Sequence, residues 1–289
     1  MSMQYVRTAV IAAAGYGTRF LPIAKAVPKE MLPLVNKPVI HYAVEQACNA
    51  GIERIIIITS RGKQVTEDYF DLNPDLESVL AQRDHPYLEE FKRISRMADI
   101  IYVRQSEQLG LGHAVLQAKK VVGNEPFIVY LPDELILGDP PVTDQLLTSF
   151  KETGSSVVGV ARVNKSDLPR FGIIDTEKTD KIPYSINKVI EKPSIADAPS
   201  NLAITGPYIF VPEIFSVLKG TKPGSGGEIQ LTDAMNLLLK EKKILAYPYS
   251  GDRFDCGNPI GLLKAAVHIA LHEPKYADEV KSWLQNLKI

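Results

Sequence analysis

The segment Ala13-Ala14-Gly15-Tyr16-Gly17-Thr18-Arg19 directly succeeds a short, β-branched apolar run at residues 6–12. Small side chains let a ligand come close to the backbone, and glycines reach the positive φ that turns N–H groups toward a phosphate. Gly15-x-Gly17 alone is a loose pattern. A dinucleotide fingerprint needs a small residue where Phe20 stands and an acid near the end of the second strand, where the chain has Thr59-Ser60-Arg61. The GxxxxGK[ST] phosphate loop is missing as well. Beyond the glycines comes a series of cations, Arg19, Lys25 and Lys29, which a polyphosphate requires and a nicotinamide cofactor does not. The competing reading is a tight turn leading into a solvated basic loop.

Carboxylates supply the second kind of chemistry. Asp133 comes after the apolar run 127–131, at the strand end where open α/β sheets bind ligands. A hard Mg²⁺ bound to phosphates takes one or two carboxylates plus water, so Asp133 is the leading metal ligand and Asp255 the second candidate. Turn residues are the bland alternative for both, since aspartate is frequent in turns. Glu134 is adjacent, but a continuing pleat should point it to the other face. In Glu191-Lys192, a carboxylate can accept two sugar hydroxyls and the ammonium can hold a sugar phosphate; exposed Glu-Lys pairs are otherwise common on strands. The five histidines form no catalytic pattern.

These residues need a scaffold that brings strand ends together. The apolar runs 6–12, 54–59, 100–104 and 127–131 alternate with helical stretches at 38–50, 76–96 and 112–120. The run 54–59 is nearly all isoleucine, as a strand buried on both faces requires. This rhythm predicts an α/β, Rossmann-like, doubly wound sheet, mainly parallel, with helices on both faces. After a helix at 142–152, strand-like runs at 156–162, 172–175, 186–191 and 202–211 suggest a mixed, partly antiparallel extension. Helices at 228–241, 259–272 and 277–287 close the chain. No segment reads as an interdomain linker, so a single domain is expected over 1–289, with halves of about 1–135 and 136–289.

Composition narrows the partners. Thirty-three Lys+Arg against 34 Asp+Glu give a net charge of -1, which offers no global field for nucleic acid or an anionic membrane. The longest aliphatic run, 55–58, is strand-sized. Cys48 and Cys256 have no metal-ligand spacing, and a reduced cytoplasmic pair is expected.

The stretch Gly15-Tyr16-Gly17-Thr18-Arg19-Phe20-Leu21-Pro22, continued by Pro28-Lys29-Glu30-Met31-Leu32-Pro33, resembles the signature of the sugar-1-phosphate nucleotidylyltransferases. Arg104-Gln105, Gly110-Leu111-Gly112-His113-Ala114, Glu191-Lys192-Pro193, 198–203, 226–233 and Phe254-Asp255-Cys256-Gly257 are similar to the uridylyltransferase branch, in that family's order. The resemblance implies UTP and glucose-1-phosphate as substrates, Mg²⁺ as cofactor, and a homodimer or homotetramer. It implies that Ala13, Ala14 and Gly15 line the uridine, with Gly17, Thr18 and Arg19 under the triphosphate. Lys29 would neutralise the leaving pyrophosphate, Glu30 would stand among the substrate contacts, and Gly172 would offer its N–H to the sugar. Gln105 carries a donor and an acceptor that suit the imide edge of uracil, a contact the Gly110 backbone would complete. Arg19, Lys29 and Lys192 would be the catalytic cations. An enzyme acting on dTTP or another sugar phosphate is the nearer rival, since one methyl group is worth only about 1–3 kcal/mol in a pocket. A non-catalytic binder of a UDP-sugar is the more distant one, against which Asp133, Lys29 and Lys192 together argue.

Overall fold

The computed structural model describes residues 5–177 and 181–287. Its strands are β1 Thr8–Ala12, β2 Pro33–Leu34, β3 Lys37–Pro38, β4 Arg54–Thr59, β5 Asp99–Arg104, β6 Phe127–Tyr130, β7 Glu134–Leu137, β8 Ser156–Arg162, β9 Gly172–Thr176, β10 Tyr184–Glu191, β11 Leu202–Phe210, β12 Ile244–Pro248 and β13 Asp252–Asp255. One nine-stranded sheet runs β5-β4-β1-β6-β11-β8-β12-β10-β9. The pairings β1–β4, β4–β5, β1–β6 and β8–β12 are parallel, while β11 and β10 oppose their neighbours. Only those two strands of the sheet therefore run backward, and the mainly parallel, mixed architecture expected from the sequence is the one observed.

Strand pleating divides the core. Along β4, Ile55 and Ile57 belong to a core shared with Ile40 and Val44 of the helix Val39–Asn49 and Leu146 and Phe150 of the helix Val142–Thr153. Ile56 and Ile58 belong to the opposite core, shared with Val115, Phe215, Leu218 and Met235 from the helices Leu111–Gln117, Ile214–Gly220 and Leu231–Leu238. All four isoleucines are fully buried. Each contributes about 1.5–3 kcal/mol of apolar transfer free energy. A strand that is apolar on both faces is thus the direct cause of helices on both faces.

Three details depart from expectation. The helix expected over 76–96 is two, Pro74–Gln82 and Leu88–Ile94. Pro86 lies between them and cannot occupy a helix interior, and Asp84 turns the chain at φ 47. The helix expected over 228–241 runs only over Leu231–Leu238, because Glu228 and Gln230 are extended, at ψ 149 and 135. The third is an antiparallel ribbon of β7 and β13 outside the main sheet, in which Asp255 sits opposite Glu134. That ribbon carries Asp255 and brings it beside Asp133, the residue just before β7.

Candidate active site

The loop after β1 is fixed from beneath. Ala13 N donates to Ile58 O at 2.9 Å, and Ser60 Oγ donates to Ala14 O at 2.9 Å. Lys63 Nζ donates to Ala13 O at 2.5 Å, to Gly15 O at 2.8 Å and to Glu30 Oε1 at 2.6 Å. Lys63 is 6% exposed and Glu30 1%. Desolvation pulls the Lys63 ammonium below its ordinary pKa, and the charge and hydrogen bond of Glu30 work against that loss. One buried cation therefore ties the glycine loop to the 3₁₀ turn Lys29–Met31. Gly17, at φ 69, completes the junction: a Cβ there would lie 3.0 Å from Lys29 Cβ.

Above this base lies a cleft of about 400 Å³ lined by Ala14, Gly15, Gly17, Lys29, Gln105 and Asp133 among others. Gln105 N donates to Thr59 O at 2.8 Å, so the end of β5 is held to the end of β4. Gly110, at φ 99, passes so close to the Glu228–Ile229 backbone that a Cβ would stand 2.7 Å from Glu228 Cβ and 2.9 Å from Ile229 O. Only glycine fits that approach. Tyr16 donates to Gln108 Oε1 at 2.8 Å across the mouth.

A second, larger cleft of about 810 Å³ adjoins the first and shares Thr18, Leu111, Leu131 and Glu228 with it. Its walls carry Gly172, Glu191, Lys192, Tyr208, Arg170 and Asp255. Glu191 Oε2 accepts from Thr232 Oγ1 at 2.9 Å, and Lys192 Nζ lies 3.4 Å from Glu191 Oε1. At Gly172 a Cβ would sit 2.8 Å from Thr232 Cγ2 and 3.3 Å from Glu191 Oε2, which explains the residue. Lys192 adopts φ 45, a left-handed conformation that costs a non-glycine residue of order 1 kcal/mol, and its side chain is 51% exposed in the cleft.

Asp133 and Asp255 stand where the two clefts meet. Lys29 Nζ lies 2.5 Å from Asp133 Oδ2. Burial opposes the Asp133 charge, but Lys29, with Arg19 behind it, holds the carboxyl below its ordinary value. Cys256 N donates to Asp133 O at 2.7 Å, locking β13 to the turn before β7. Asp255 is ion-paired with Arg170 and accepts from Gly257 N at 3.0 Å. A Cβ on Gly257 would fall 2.6 Å from Asp133 Oδ2, 3.0 Å from Asp255 Oδ1 and 3.0 Å from an Arg19 nitrogen. The two carboxylate oxygens are thus no further apart than the sum of the first two distances, around a space that glycine leaves open. No group of three or more His, Cys, Asp or Glu gathers as a metal cage among the described residues. Two carboxylates completed by phosphate oxygens and water is the donor set that fits, and it suits a hard divalent ion.

Several sequence expectations change. Glu30 does not reach the cleft: successive residues of a 3₁₀ turn point about 120° apart, so Lys29 faces the cleft and Glu30 faces Lys63. Ala13 is likewise turned inward, while Ala12 and Ala14 line the cleft, two residues apart on one face of the pleat. Lys25 is exposed and lines neither cleft. Glu134 does line the larger cleft, because a turn closed by Glu134 N donating to Leu131 O at 3.0 Å breaks the pleat at Pro132-Asp133. It receives two hydrogen bonds from Arg253, at 2.7 and 2.8 Å, and burial pushes its carboxyl up to about 7 against that pull. The Arg253 guanidinium stacks 4.7 Å above the Phe171 ring. Sequence reasoning gave no role to Lys63, Arg170 or Gly257; the neighbours that define them here, Glu30, Asp255 and Asp133, lie 33, 85 and 124 residues away respectively. Only the Arg170-Phe171-Gly172 run offered a local hint, through its neighbour Gly172.

The sequence model of the Nucleotidyl transferase family matches residues 8–271. The chain is 44% identical over 288 residues to a UTP–glucose-1-phosphate uridylyltransferase of Staphylococcus epidermidis, covering 99% of this chain and 100% of that one. Among solved structures it is similar to a UDP-glucose pyrophosphorylase complexed with UDP-glucose, at 41% identity and TM-score 0.84, covering 93% of this chain and 100% of the other. It is also similar to a UTP-bound UGPase from Acinetobacter baumannii, at 37% identity and TM-score 0.89, with 98% and 100% covered. With likeness in sequence and in backbone running from the first strand to the final helices, this chain belongs to the nucleotidyl transferase family.

Proposed function

We propose that the chain transfers the uridylyl group of UTP to glucose-1-phosphate, giving UDP-glucose and pyrophosphate. The observation that carries this reading is the pair of joined clefts with Arg19, Lys29, Asp133 and Asp255 at their junction. The relatives named for this reaction support it over their whole length. In it, a phosphate oxygen of glucose-1-phosphate attacks the α-phosphorus of UTP; the new P–O bond forms as the bond to the pyrophosphate oxygen breaks. That nucleophile is already an anion at neutral pH, so no side chain has to remove a proton. Catalysis then reduces to positioning and charge neutralisation.

In this proposal the smaller cleft takes the nucleotide, with the base beside Gln105 and Gly110 and the ribose over Ala14 and Gly15. Gly17, Thr18 and Arg19 lie under the phosphates. Lys29 leaves Asp133 to neutralise the departing pyrophosphate. The larger cleft takes the sugar: Glu191 accepts its hydroxyls, the Gly172 N–H faces it, and Lys192 holds its phosphate. Mg²⁺ held by Asp133 and Asp255 would supply positive charge to the phosphates when bound. Lys29 and Arg170, paired with Asp133 and Asp255, bring further positive charge to the same point. The two free cysteines suit a reducing, cytoplasmic setting. Exposed Ile260, Leu263 and Trp283 on the last two helices support assembly into two or four copies, and the unbroken nine-stranded sheet supports one domain.

The test is pyrophosphate release by the purified chain with UTP and glucose-1-phosphate, set against dTTP and against galactose-1-phosphate. The proposal predicts the highest kcat/KM for the first pair and strict dependence on a divalent ion. A higher value for dTTP or for galactose-1-phosphate would overturn the substrate assignment.

A further inference from the structure

The amide of Gln105 is oriented from behind. Its Nε2 lies 3.2 Å from Gly110 O and 2.9 Å from His113 Nδ1. A carbonyl oxygen can only accept, so the Gln105 atom facing Gly110 is the nitrogen. Its second hydrogen then goes to His113 Nδ1, which must carry a lone pair. A neutral imidazole holds one proton, which this arrangement places on Nε2; the half-buried Gln117, whose Nε2 stands 2.9 Å from that nitrogen and 3.3 Å from His113 O, must then turn its amide so that Oε1 accepts there. Both Gln105 amide hydrogens are thereby used inside the protein. Gln105 Oε1 has no partner among the described residues and is not among the fully enclosed unsatisfied atoms, while Gln105 lines the smaller cleft.

We propose that His113 is a positioning residue for base selection: by accepting at Nδ1 it turns Gln105 so that the cleft meets an acceptor and no donor. The inference rests on the nucleotide occupying the smaller cleft. An acceptor at that point complements the N3–H of uracil. Cytosine presents a lone pair at N3, so the same oxygen repels it, and a polar group left unpaired in a closed site discriminates strongly. Were Nδ1 to lose its acceptor role, the Gln105 amide would keep only the Gly110 contact and rotate more freely, and a cytosine base would be met by a donor part of the time. Asparagine in place of His113 carries its Oδ1 where Nδ1 now stands; leucine carries no acceptor.

The experiment compares wild type, His113→Asn and His113→Leu in pyrophosphate release with UTP and with CTP at saturating glucose-1-phosphate. For His113→Leu the expected result is a rise of about three- to tenfold in KM for UTP, the loss from one hydrogen bond no longer oriented, with kcat nearly unchanged. Its preference for UTP over CTP should shrink by at least that factor. His113→Asn should retain most of the preference. Equal UTP-to-CTP preference in wild type and His113→Leu would overturn the inference, as would an asparagine variant as impaired as the leucine one. A wild-type chain inactive with UTP would instead overturn the functional reading beneath it. Should the leucine variant fail to fold, ¹H–¹⁵N correlation spectra of the wild-type imidazoles decide: the Nε2–H tautomer at His113 is expected, and an Nδ1–H tautomer contradicts it.

Discussion

Replacing Lys63 with methionine separates two jobs that one ammonium performs. The Lys63–Glu30 pair is buried, and Glu30 Oε2 already lacks a hydrogen-bond partner. Removing the lysine leaves a carboxylate in a site where it is 1% exposed. Breaking a buried pair from one side costs about 3–5 kcal/mol. For a chain of this size that corresponds to a fall in Tm on the order of 10 °C. The second consequence is local: Ala13 O and Gly15 O lose the donor that fixes them, so the loop facing the phosphates loosens relative to Lys29. The double variant Lys63→Met/Glu30→Met removes both charges and should recover most of the Tm, because no unpaired ion remains. It should not recover UTP binding, and its KM for UTP should stay raised by about tenfold, a loss of roughly 1.4 kcal/mol in loop positioning. Thermal melts and steady-state pyrophosphate release on the same preparations supply both readouts. A single variant with wild-type Tm would refute the buried-pair argument; a double variant with wild-type KM would refute the clamp.

Three other outcomes rest on the same geometry. Gly257→Ala places a methyl group against Asp133 Oδ2 without straining the backbone, so Tm should change little while kcat falls by about 10²-fold, a size typical of losing one electrostatic stabiliser; unchanged turnover would show that the space between Asp133 and Asp255 is not used. Lys192→Ala should raise the KM for glucose-1-phosphate by about 10- to 100-fold and leave that for UTP alone, and Lys192→Gly, which relaxes φ 45, controls for backbone strain; equal kinetics for both substrates in either variant would return Lys192 to the solvated surface. Glu45, helped most by His41 at 3.5 Å and opposed by burial, has its pKa lowered from 4.5 to about 2. A depressed carboxylate stabilises the fold above the unfolded value and loses that stabilisation as pH falls toward the folded one. The shift corresponds to about 3 kcal/mol, discounted to about 1–2 for partial exposure. The Tm gap between wild type and Glu45→Gln should therefore be widest near neutrality and narrow as pH drops from about 4.5 toward about 2; a constant gap would contradict the assignment.

How much of this is legible in the sequence depends on the range of the interaction. The isoleucine run of β4 announces a two-faced strand because every residue of it is apolar, and that pattern needs no knowledge of partners. Asp133, Gln105 and Gly110 are legible because each ends or succeeds a strand on the ligand side. Glu134 is misread when period-two alternation is carried through Pro132-Asp133, where a turn resets the facing. Glu30 and Ala13 are drawn toward the substrate by their neighbours' company, yet turn and pleat geometry send adjacent side chains to opposite sides. The β7–β13 ribbon leaves little trace: β13 is four residues long, and its pairing to residues 134–137 is set by a close Gly138–Gly251 approach that no local pattern encodes. Lys63 has no local signature either, since its role exists only once β4 is laid beside β1.

The central claim is that one continuous cleft holds the uridine at Gln105 and the sugar at Glu191, with the phosphates between Lys29, Asp133 and Asp255. A crystal structure of this chain with UDP-glucose and Mg²⁺ tests it most directly. The account predicts uracil N3 within hydrogen-bond reach of Gln105 Oε1, glucose hydroxyls on the Glu191 carboxylate, and the diphosphate beside Asp133 with Lys29 turned away from it. A product bound in the reverse sense, with the sugar at Gln105, or an Asp133 still paired to Lys29 and remote from the diphosphate, would contradict it.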